Sequence, residues 1–188
     1  MSEIFVCSDM HFGHANIIKY CNRPFRDVDH MDEALIENWN EVVRPGDLVY
    51  HLGDFCWGAD ATKYTSRLNG DIVNIRGNHD RGAIYAKAFY RQIDEAIVPW
   101  MDGLVYMNHY PVWMYQYDAA GGELWRSHQD RSPGVKHVLL YGHVHNGEED
   151  VPPPAWAMNI SIEKLNYEPK ELGAIVSPLF DWWPSKKS

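Results

Sequence analysis

The sequence lacks the features of a secreted, disulfide-bonded or membrane-spanning protein. Its three cysteines, Cys7, Cys21 and Cys56, are odd in number and have no C-x-x-C spacing, which indicates reduced thiols. No basic segment followed by an apolar run opens the sequence, so we expect no signal peptide. No apolar stretch approaches the length of a membrane helix. These absences predict a cytoplasmic protein with no membrane partner.

Positive charge is also scarce. Lys and Arg number 17 against 26 Asp and Glu, a net charge of −9, which disfavours a broad nucleic-acid or acidic-membrane surface. The rest of the composition is typical of a globular protein, since 45% of the residues are hydrophobic and 23% are charged. A chain of 188 residues is long enough for a full core and short enough for one domain. We therefore predict a single domain over residues 1–188.

Five short apolar runs each end in side chains that can bind metal. The first run, at residues 3–8, leads into Asp9-Met10-His11, where residues i and i+2 of an extended segment project from the same face. Four later runs, at residues 48–52, 72–76, 104–107 and 138–141, lead into Gly53-Asp54, Gly77-Asn78-His79-Asp80, Asn108-His109 and Gly142-His143-Val144-His145. Any one of these blocks alone is typical of a polar loop. Five in succession predict a site at the strand ends, where α/β proteins place their sites.

This ordered set of blocks resembles the calcineurin-like metallophosphoesterase superfamily. The blocks of that family are Asp-x-His, Gly-Asp, Gly-Asn-His-(Asp/Glu), a single His and Gly-His-x-His, and all of them are present between Asp9 and His145. The opening, Asp-x-His-Phe-Gly-His-x-Asn-Ile-Ile, resembles a small bacterial and phage branch of the family. The resemblance implies an α/β fold of the α+β type, a four-layer αββα sandwich of two mixed β-sheets flanked by helices.

The resemblance also implies a centre of two divalent metal ions. The implied ligands of the first ion are Asp9, His11, Asp54 and His145, and those of the second, with Asp54 as the bridge, are Asp54, Asn78, His109 and His143. A set of carboxylates, imidazoles and one amide, without a thiolate, suits Mn²⁺, Fe or Zn²⁺ over metals that prefer soft ligands and does not choose among them. The expected metal is Mn²⁺, with Fe, Zn²⁺ or Ni²⁺ as alternatives. His79 matches the catalytic histidine of the family. Asp80 follows it and is expected to orient its imidazole, with a turn or helix-cap role as the alternative.

Four further polar residues are candidates for binding the substrate. Arg23 and Arg81 are candidate phosphate clamps, because a guanidinium group matches the oxygens of a phosphate. His14 and Asn16 lie in the first site loop and are expected to line the site, with a structural role as the alternative for each.

The expected reaction is hydrolysis of a phosphodiester or phosphomonoester through a metal-bridging hydroxide. The expected partner is a small phosphate ester, and the oligomeric state stays open. The segment after Asp54 lacks the substrate-binding arginine of the protein Ser/Thr phosphatases and has Trp57 where purple acid phosphatases have a tyrosine ligand, which disfavours both classes. Two alternatives remain: a nuclease acting on nucleic-acid ends or single strands, and a non-catalytic, metal-bound interaction scaffold of the same fold.

Helix and turn signals predict the elements between these blocks. Helices are predicted over residues 15–20, from an N-cap at Asp29 to a stop before Pro45, over residues 60–68 and over residues 81–89. The second of these has an apolar face of Met31, Leu35, Trp39 and Val42. A hairpin is predicted around residues 101–103, and a strand over residues 155–162.

One long connection carries many aromatic residues. Residues 111–133 include Trp113, Tyr115, Tyr117 and Trp125 and lie between two of the ligand blocks. Loops of this length without regular structure are often functional. We therefore expect a rim of the substrate site, with a covering loop as the alternative. The last residues, 182–188, are expected to dock by their tryptophans and then fray.

Overall fold

Two β-sheets form the centre of the fold. A computed structural model describes residues 2–58, 60–112, 135–147 and 153–182. In this part of the chain the strands are β1 Ile4–Cys7, β2 Leu48–His51, β3 Asp71–Ile75, β4 Arg91–Ile93, β5 Glu95–Trp100, β6 Gly103–Asn108, β7 Lys136–Tyr141, β8 Ala157–Asn159 and β9 Lys170–Glu171. The first sheet has the order β4-β3-β2-β1-β9 and the second the order β5-β6-β7-β8.

The first sheet is parallel apart from β9, which pairs antiparallel with β1. Parallel strands need crossover connections, and the helices α1 Ala15–Tyr20, α2 Val28–Val42, α3 Thr62–Thr65 and α4 Ala83–Ala86 occupy them. Cys7 pairs with His51, and His51 pairs with Asn74. The carboxyl ends of β1, β2 and β3 therefore meet at one edge of the sheet, as the positions of the ligand blocks require.

The second sheet begins with a hairpin and continues in parallel. β5 and β6 pair antiparallel around a turn in which Met101 has φ 48°, as the predicted hairpin requires. β7 then pairs parallel with both β6 and β8. The connection from β6 to β7 contains the predicted aromatic rim, and residues 113–134 of it lie outside the described residues. The predicted docking of residues 183–188 also lies outside them.

The inner faces of the two sheets share one hydrophobic core. Val6 and Val49 of the first sheet belong to the same buried cluster as Val105, Val138 and Leu140 of the second. The core also takes residues from α2 and from α5 Leu172–Trp182, a helix that contains Pro178. The prediction of two mixed sheets flanked by helices is confirmed. Within the described residues, no helix combines the length and hydropathy that crossing a bilayer requires.

Helix α2 begins earlier than the sequence predicts. Its N-cap is Asp27, whose Oδ1 accepts the backbone N–H of His30 at 2.8 Å. The prediction of Asp29 as the N-cap is therefore wrong, and Asp29 lies in the first turn. The predicted inner face is present, since Met31, Leu35 and Trp39 are fully buried.

The shorter helices differ more from their predictions. The helices predicted over residues 60–68 and 81–89 shrink to the single turns α3 and α4. The strand predicted over residues 155–162 is limited to β8, and a 3-10 turn, Ile162–Leu165, follows it. The structure also contains β4, β9 and α5, which the sequence analysis does not predict.

Candidate metal centre

The loops that follow β1, β2 and β7 turn sharply through left-handed backbone conformations. Asp9, His11, Asp54, His143 and His145 all have positive φ angles, between 50° and 72°. Non-glycine residues rarely adopt this conformation, and Asp, Asn and His adopt it most readily after glycine. Such angles persist where the surrounding structure holds them, and they cluster at functional sites. Here they direct side chains from separate loops toward one space.

Two glycines let these loops approach each other closely. A Cβ on Gly77 would lie 2.2 Å from Asp54 Oδ1, and a Cβ on Gly142 would lie 2.0 Å from Ser8 Oγ and 2.3 Å from Asp9 Oδ2. Any side chain at either position would displace a carboxylate of the site. The glycines of the Gly-Asn-His and Gly-His-x-His blocks are therefore required by close approach.

A first cluster of possible metal ligands consists of Asp9, His11 and His145. His145 Nε2 lies 3.8 Å from Asp9 Oδ1, and His11 Nε2 lies 3.6 Å from Asp54 Oδ2. The rings of His11 and His145 stack with their centroids 5.0 Å apart. Asp9 is further held by Ser161, whose Oγ donates to Asp9 Oδ2 at 2.9 Å.

A second cluster consists of Asp54, His109 and His143. His109 Nε2 lies 3.7 Å from Asp54 Oδ2, 3.1 Å from Asn78 Oδ1 and 3.2 Å from His143 Nδ1. The other ring nitrogen of His109, Nδ1, donates to the carbonyl oxygen of Leu52 at 2.8 Å. This bond fixes the ring so that Nε2 faces the cluster. Asp54 lies between the two clusters and approaches histidines of both.

The donors of the two clusters fit divalent cations. Both ring nitrogens of His11 are buried, and neither has a hydrogen-bond partner among the described residues. Buried polar atoms without partners are costly, and a cation bound by these nitrogens would remove that cost. Burial raises the pKa of Asp54 to about 6, although the neighbouring His109 partly lowers it. Burial together with the neighbouring His109 lowers the pKa of His143 to about 4, which favours the neutral imidazole that binds metal.

His79 lies beside Asp54 at the surface of the site. Its backbone N–H donates to Asp54 Oδ1 at 2.9 Å, and its ring Nε2 lies 3.8 Å from Asp54 Oδ2. The side chain is 36% exposed, more than those of His11 and His109. It is therefore accessible to a bound substrate.

Asp80 does not orient the His79 ring, and that prediction is wrong. Its carboxylate is buried and accepts hydrogen bonds from the backbone of three residues, Asp54, Phe55 and Gly77, and from the side chains of Asn74 and Tyr85. Burial raises the pKa of Asp80, but these hydrogen bonds and the neighbouring His51 outweigh burial and lower it. Asp80 therefore ties the loops after β2 and β3 together beneath the site.

Arg23 is not a phosphate clamp, and that prediction is also wrong. The side chain is buried, and its guanidinium donates to the carbonyl oxygens of Asp9 and Met10 at 2.7 and 2.8 Å. It also forms an ion pair with Glu163 at 2.7 Å. A guanidinium engaged on these partners has no face left for a substrate, so Arg23 supports the loop that carries Asp9.

Glu163 is a site residue that the sequence alone does not reveal. Its Oε1 accepts a hydrogen bond from His145 Nδ1 at 3.1 Å. Burial lowers the pKa of His145, but hydrogen bonds to Cys21 and Glu163 outweigh it and raise that pKa to about 11. Cys21, His145 and Glu163 form a third group of possible ligands, but the Arg23 guanidinium already neutralises the carboxylate. No motif contains Glu163, so only the fold brings it to the site.

Two adjoining cavities lie at the candidate site. One, of about 430 Å³, contains the predicted substrate residues His14 and Asn16 beside the clustered histidines. The other, of about 540 Å³, contains Arg81, whose Nε donates to the carbonyl oxygen of Asn78 at 3.0 Å. Asn78, His79 and Trp57 line both cavities. The placement of His14, Asn16 and Arg81 is compatible with substrate binding, which stays a prediction.

The fold and the ligand clusters define a metal-dependent phosphoesterase. The chain belongs to the calcineurin-like phosphoesterase superfamily, because the sequence profile of that superfamily domain matches residues 2–160. That family also contains non-catalytic members.

Relatives of this chain occur in archaea, bacteria and phages. An uncharacterized protein of Methanocaldococcus jannaschii is 36% identical over 184 residues, which cover 94% of this chain and 90% of the relative. The gene 66 protein of Mycobacterium phage D29 is 29% identical over 168 residues, which cover 78% of this chain and 80% of the relative. The crystal structure of a protein of unknown function from Aquifex aeolicus is similar with a TM-score of 0.72 at 25% identity, and the match covers 93% of this chain and 98% of that one.

Proposed function

We propose that this protein hydrolyses a small phosphodiester at a centre of two divalent metal ions, with Mn²⁺ as the preferred metal. The observation that carries the proposal is the convergence of two ligand clusters on Asp54. The residues that would hold the first ion are Asp9, His11, Asp54 and His145, and those for the second are Asp54, Asn78, His109 and His143. Their oxygen and imidazole donors suit Mn²⁺, and Fe, Zn²⁺ and Ni²⁺ suit them as well.

The protein residues around the ions would position the substrate and move a proton. When bound, the two ions would polarise the phosphate oxygens and lower the pKa of water at the site. His79 faces the same cavity, and its Nε2 would donate a proton to the leaving oxygen, a contribution of about 10²–10⁴-fold for a general acid. Asp80 accepts hydrogen bonds from the backbone N–H groups of Asp54 and Phe55 and so holds the loop that presents Asp54.

The two cavities support a diester substrate. They meet at Asn78, His79 and Trp57, so a phosphate bound there would have one cavity for each of its two substituents. Because Arg23 is buried on Glu163 and the backbone of Asp9 and Met10, its positive charge does not contribute to the phosphate site. Arg81 is the one arginine or lysine that lines either cavity in the described part of the chain. A phosphodiester carries one negative charge, whereas a phosphomonoester carries up to two. A single guanidinium group therefore suits a diester better than a monoester.

The two alternatives have less support. A nuclease that grips a long strand needs a basic surface for many phosphates, whereas this chain has a net charge of −9. A non-catalytic scaffold would not require a complete set of ligand residues together with an accessible His79, and this chain has both.

The proposal is tested by two variants that separate metal binding from proton transfer. The wild-type protein should contain two metal ions per chain by elemental analysis and hydrolyse bis(p-nitrophenyl) phosphate. Asp54→Asn should lose both ions and nearly all hydrolysis, because the ligand sets proposed for the two ions share this carboxylate. His79→Ala should keep two ions and lose kcat by about 10²-fold or more, because His79 holds no metal in this assignment.

Matched controls remove the same functional groups at exposed positions outside the ligand clusters and the two cavities. Asp102→Asn changes an exposed carboxylate at the β5–β6 turn, and His30→Ala changes an exposed histidine on α2. Both should keep the metal content and turnover of the wild-type protein. Two ions and normal turnover in Asp54→Asn would contradict the ligand assignment, and loss of metal in His79→Ala would contradict the role given to His79.

A further inference from the structure

An exposed tryptophan stands at the edge of the proposed phosphate site. Trp57 is 53% exposed, and it is one of four large hydrophobic side chains exposed in the described part of the chain. Two of the four, Trp57 and Tyr20, line the cavities over the ligand clusters. Exposed aromatic side chains in a cleft often mark a binding surface, because hydration of their apolar faces is unfavourable.

The orientation of the Trp57 ring is already fixed. The His14 imidazole stacks on the indole with a centroid distance of 4.3 Å and an interplanar angle of 13°. The His79 ring lies 5.2 Å from the indole at an interplanar angle of 48°. The centroids of His14 and His79 are 6.5 Å apart, so the two rings do not enclose the indole from opposite sides, and the face away from His14 stays open to a ligand. A ring held by these two neighbours loses little freedom when a ligand binds, so the ordering cost of stacking is low.

The residues beside Trp57 add polar and positive groups. Arg81 lines the same cavity, together with Asn78 and His79 of the proposed phosphate site. One cavity of about 540 Å³ therefore contains an aromatic ring face, one guanidinium group and the proposed phosphate site. These groups are complementary to the base and the phosphate of a nucleotide. An acyl chain would require walls that are apolar throughout, which Arg81, Asn78 and His79 do not provide.

We infer that the substrate is a nucleotide phosphodiester whose base stacks on Trp57 while its phosphate lies beside Asn78 and His79. This inference rests on the proposed function, because it assigns the phosphate to that site. A mononucleotide unit fits the two cavities, and the net charge of −9 opposes a long polyanionic strand. Trp57 would therefore determine specificity without taking part in the chemical step.

The test compares two phosphomonoesters of ribose, of which only one has a base. Adenosine 5′-monophosphate is a product expected from hydrolysis of such a diester, and ribose 5-phosphate has a hydroxyl group in place of the base. Their affinities for the Mn²⁺-loaded protein are measured by isothermal titration calorimetry. The nucleotide should bind about 10-fold more tightly, since stacking on an aromatic side chain contributes this much or more. Trp57→Ala should remove most of that preference and leave the affinity for ribose 5-phosphate unchanged. Trp57→Phe should retain part of it.

Control variants and an independent readout make the result decisive. Tyr90→Ala removes another exposed aromatic side chain, one that lines neither cavity, and it should leave both affinities unchanged. Equal affinity of the two ligands for the wild-type protein, or an equal loss for both in Trp57→Ala, would overturn the inference. The binding measurement needs no turnover. Base-dependent binding without hydrolysis would refute the proposed function and leave Trp57 in a nucleotide-binding site that is not catalytic, and hydrolysis without base-dependent binding would refute this inference alone.

Discussion

Glu163 controls how His145 faces the first ligand cluster. The Glu163 carboxylate accepts a hydrogen bond from His145 Nδ1 and forms an ion pair with Arg23. His145 Nε2 is then left to face Asp9, 3.8 Å away. A histidine that binds metal through one nitrogen usually donates its other N–H to a carboxylate or carbonyl group, which fixes the tautomer and strengthens the ligand. Glu163 is therefore a positioning residue of the proposed centre.

Replacing Glu163 by glutamine should weaken metal binding more than it changes the fold. The amide keeps the shape and one acceptor atom but removes the charge that favours the donating tautomer of His145. We expect Glu163→Gln to raise the Mn²⁺ dissociation constant about 10-fold, at the lower end of such substitutions. Competition with a fluorescent chelator measures this constant, and Glu168→Gln, at a carboxylate paired with Lys170, is the matched control. Unchanged Mn²⁺ affinity in Glu163→Gln would show that Glu163 only neutralises Arg23.

At this scale the sequence identifies residue types better than their partners. Asp9 and His143 can be assigned from their blocks, because the spacing within each block and its position after an apolar run are sufficient to place them. Arg23 and Asp80 have the chemistry of site residues, yet their side chains are buried among backbone groups. Which partner a side chain reaches depends on tertiary packing, which local sequence does not encode. Glu163 is missed for the same reason.

At the scale of elements, the buried strands follow from the sequence and the short helices do not. Strands β2 and β7 are short apolar runs because they are buried in the sheets, so their position follows from hydrophobicity alone. α3 and α4 are single turns, too short to show a helical period. α5 places Leu172, Val176 and Phe180 on one buried face, but Pro178 in its interior is a signal against a helix. Pro178 is exposed on the opposite face, where the core is undisturbed.

Asp47 joins the beginnings of β1 and β2. Its Oδ1 accepts the backbone N–H of Glu3 at 2.9 Å, and its Oδ2 accepts that of Arg44 at 2.8 Å. The hydrogen bond from Glu3 contributes most, and that from Arg44 contributes next, to a pKa of Asp47 below its ordinary value of 3.8. A carboxyl group with a lowered pKa in the folded state stabilises the fold above its unfolded pKa, and that stabilisation disappears as the pH falls through the folded value.

Asp47→Asn should therefore destabilise the protein in a pH-dependent way. At pH 7 the variant should have a lower urea midpoint than the wild type, because an amide is a weaker acceptor for the two N–H groups. The difference should stay constant down to about pH 4.5 and narrow below the ordinary pKa of 3.8, where the carboxyl group becomes protonated in the unfolded wild type. It should narrow further as the pH falls through the lowered pKa of the folded state. Asp71→Asn, at an exposed position of β3, is the control. A difference that is constant from pH 7 to about pH 3 would contradict the role of charge at Asp47.

At the scale of the whole molecule, the candidate centre lies where the ends of both sheets meet. Asp9, His11 and Asp54 follow strands of the first sheet, and His109, His143 and His145 follow strands of the second. Each ligand cluster contains residues from both sheets. The overall architecture could be predicted only through the family resemblance. The apolar runs predict strands but do not say which strands pair or that they divide into two sheets.

Because each cluster draws on both sheets, metal removal should affect the stability of the whole fold. An ion bound only in the folded state, at a free concentration about 100 times its dissociation constant, stabilises that state by about 2.7 kcal/mol. For a domain of this size that corresponds to a shift in melting temperature of about 5–10 °C. Differential scanning calorimetry with Mn²⁺ and with excess chelator should show this shift for the wild type. Asp54→Asn, which lacks the shared carboxylate, should show little or none, and equal melting temperatures of the wild type in both conditions would mean that no metal links the two sheets.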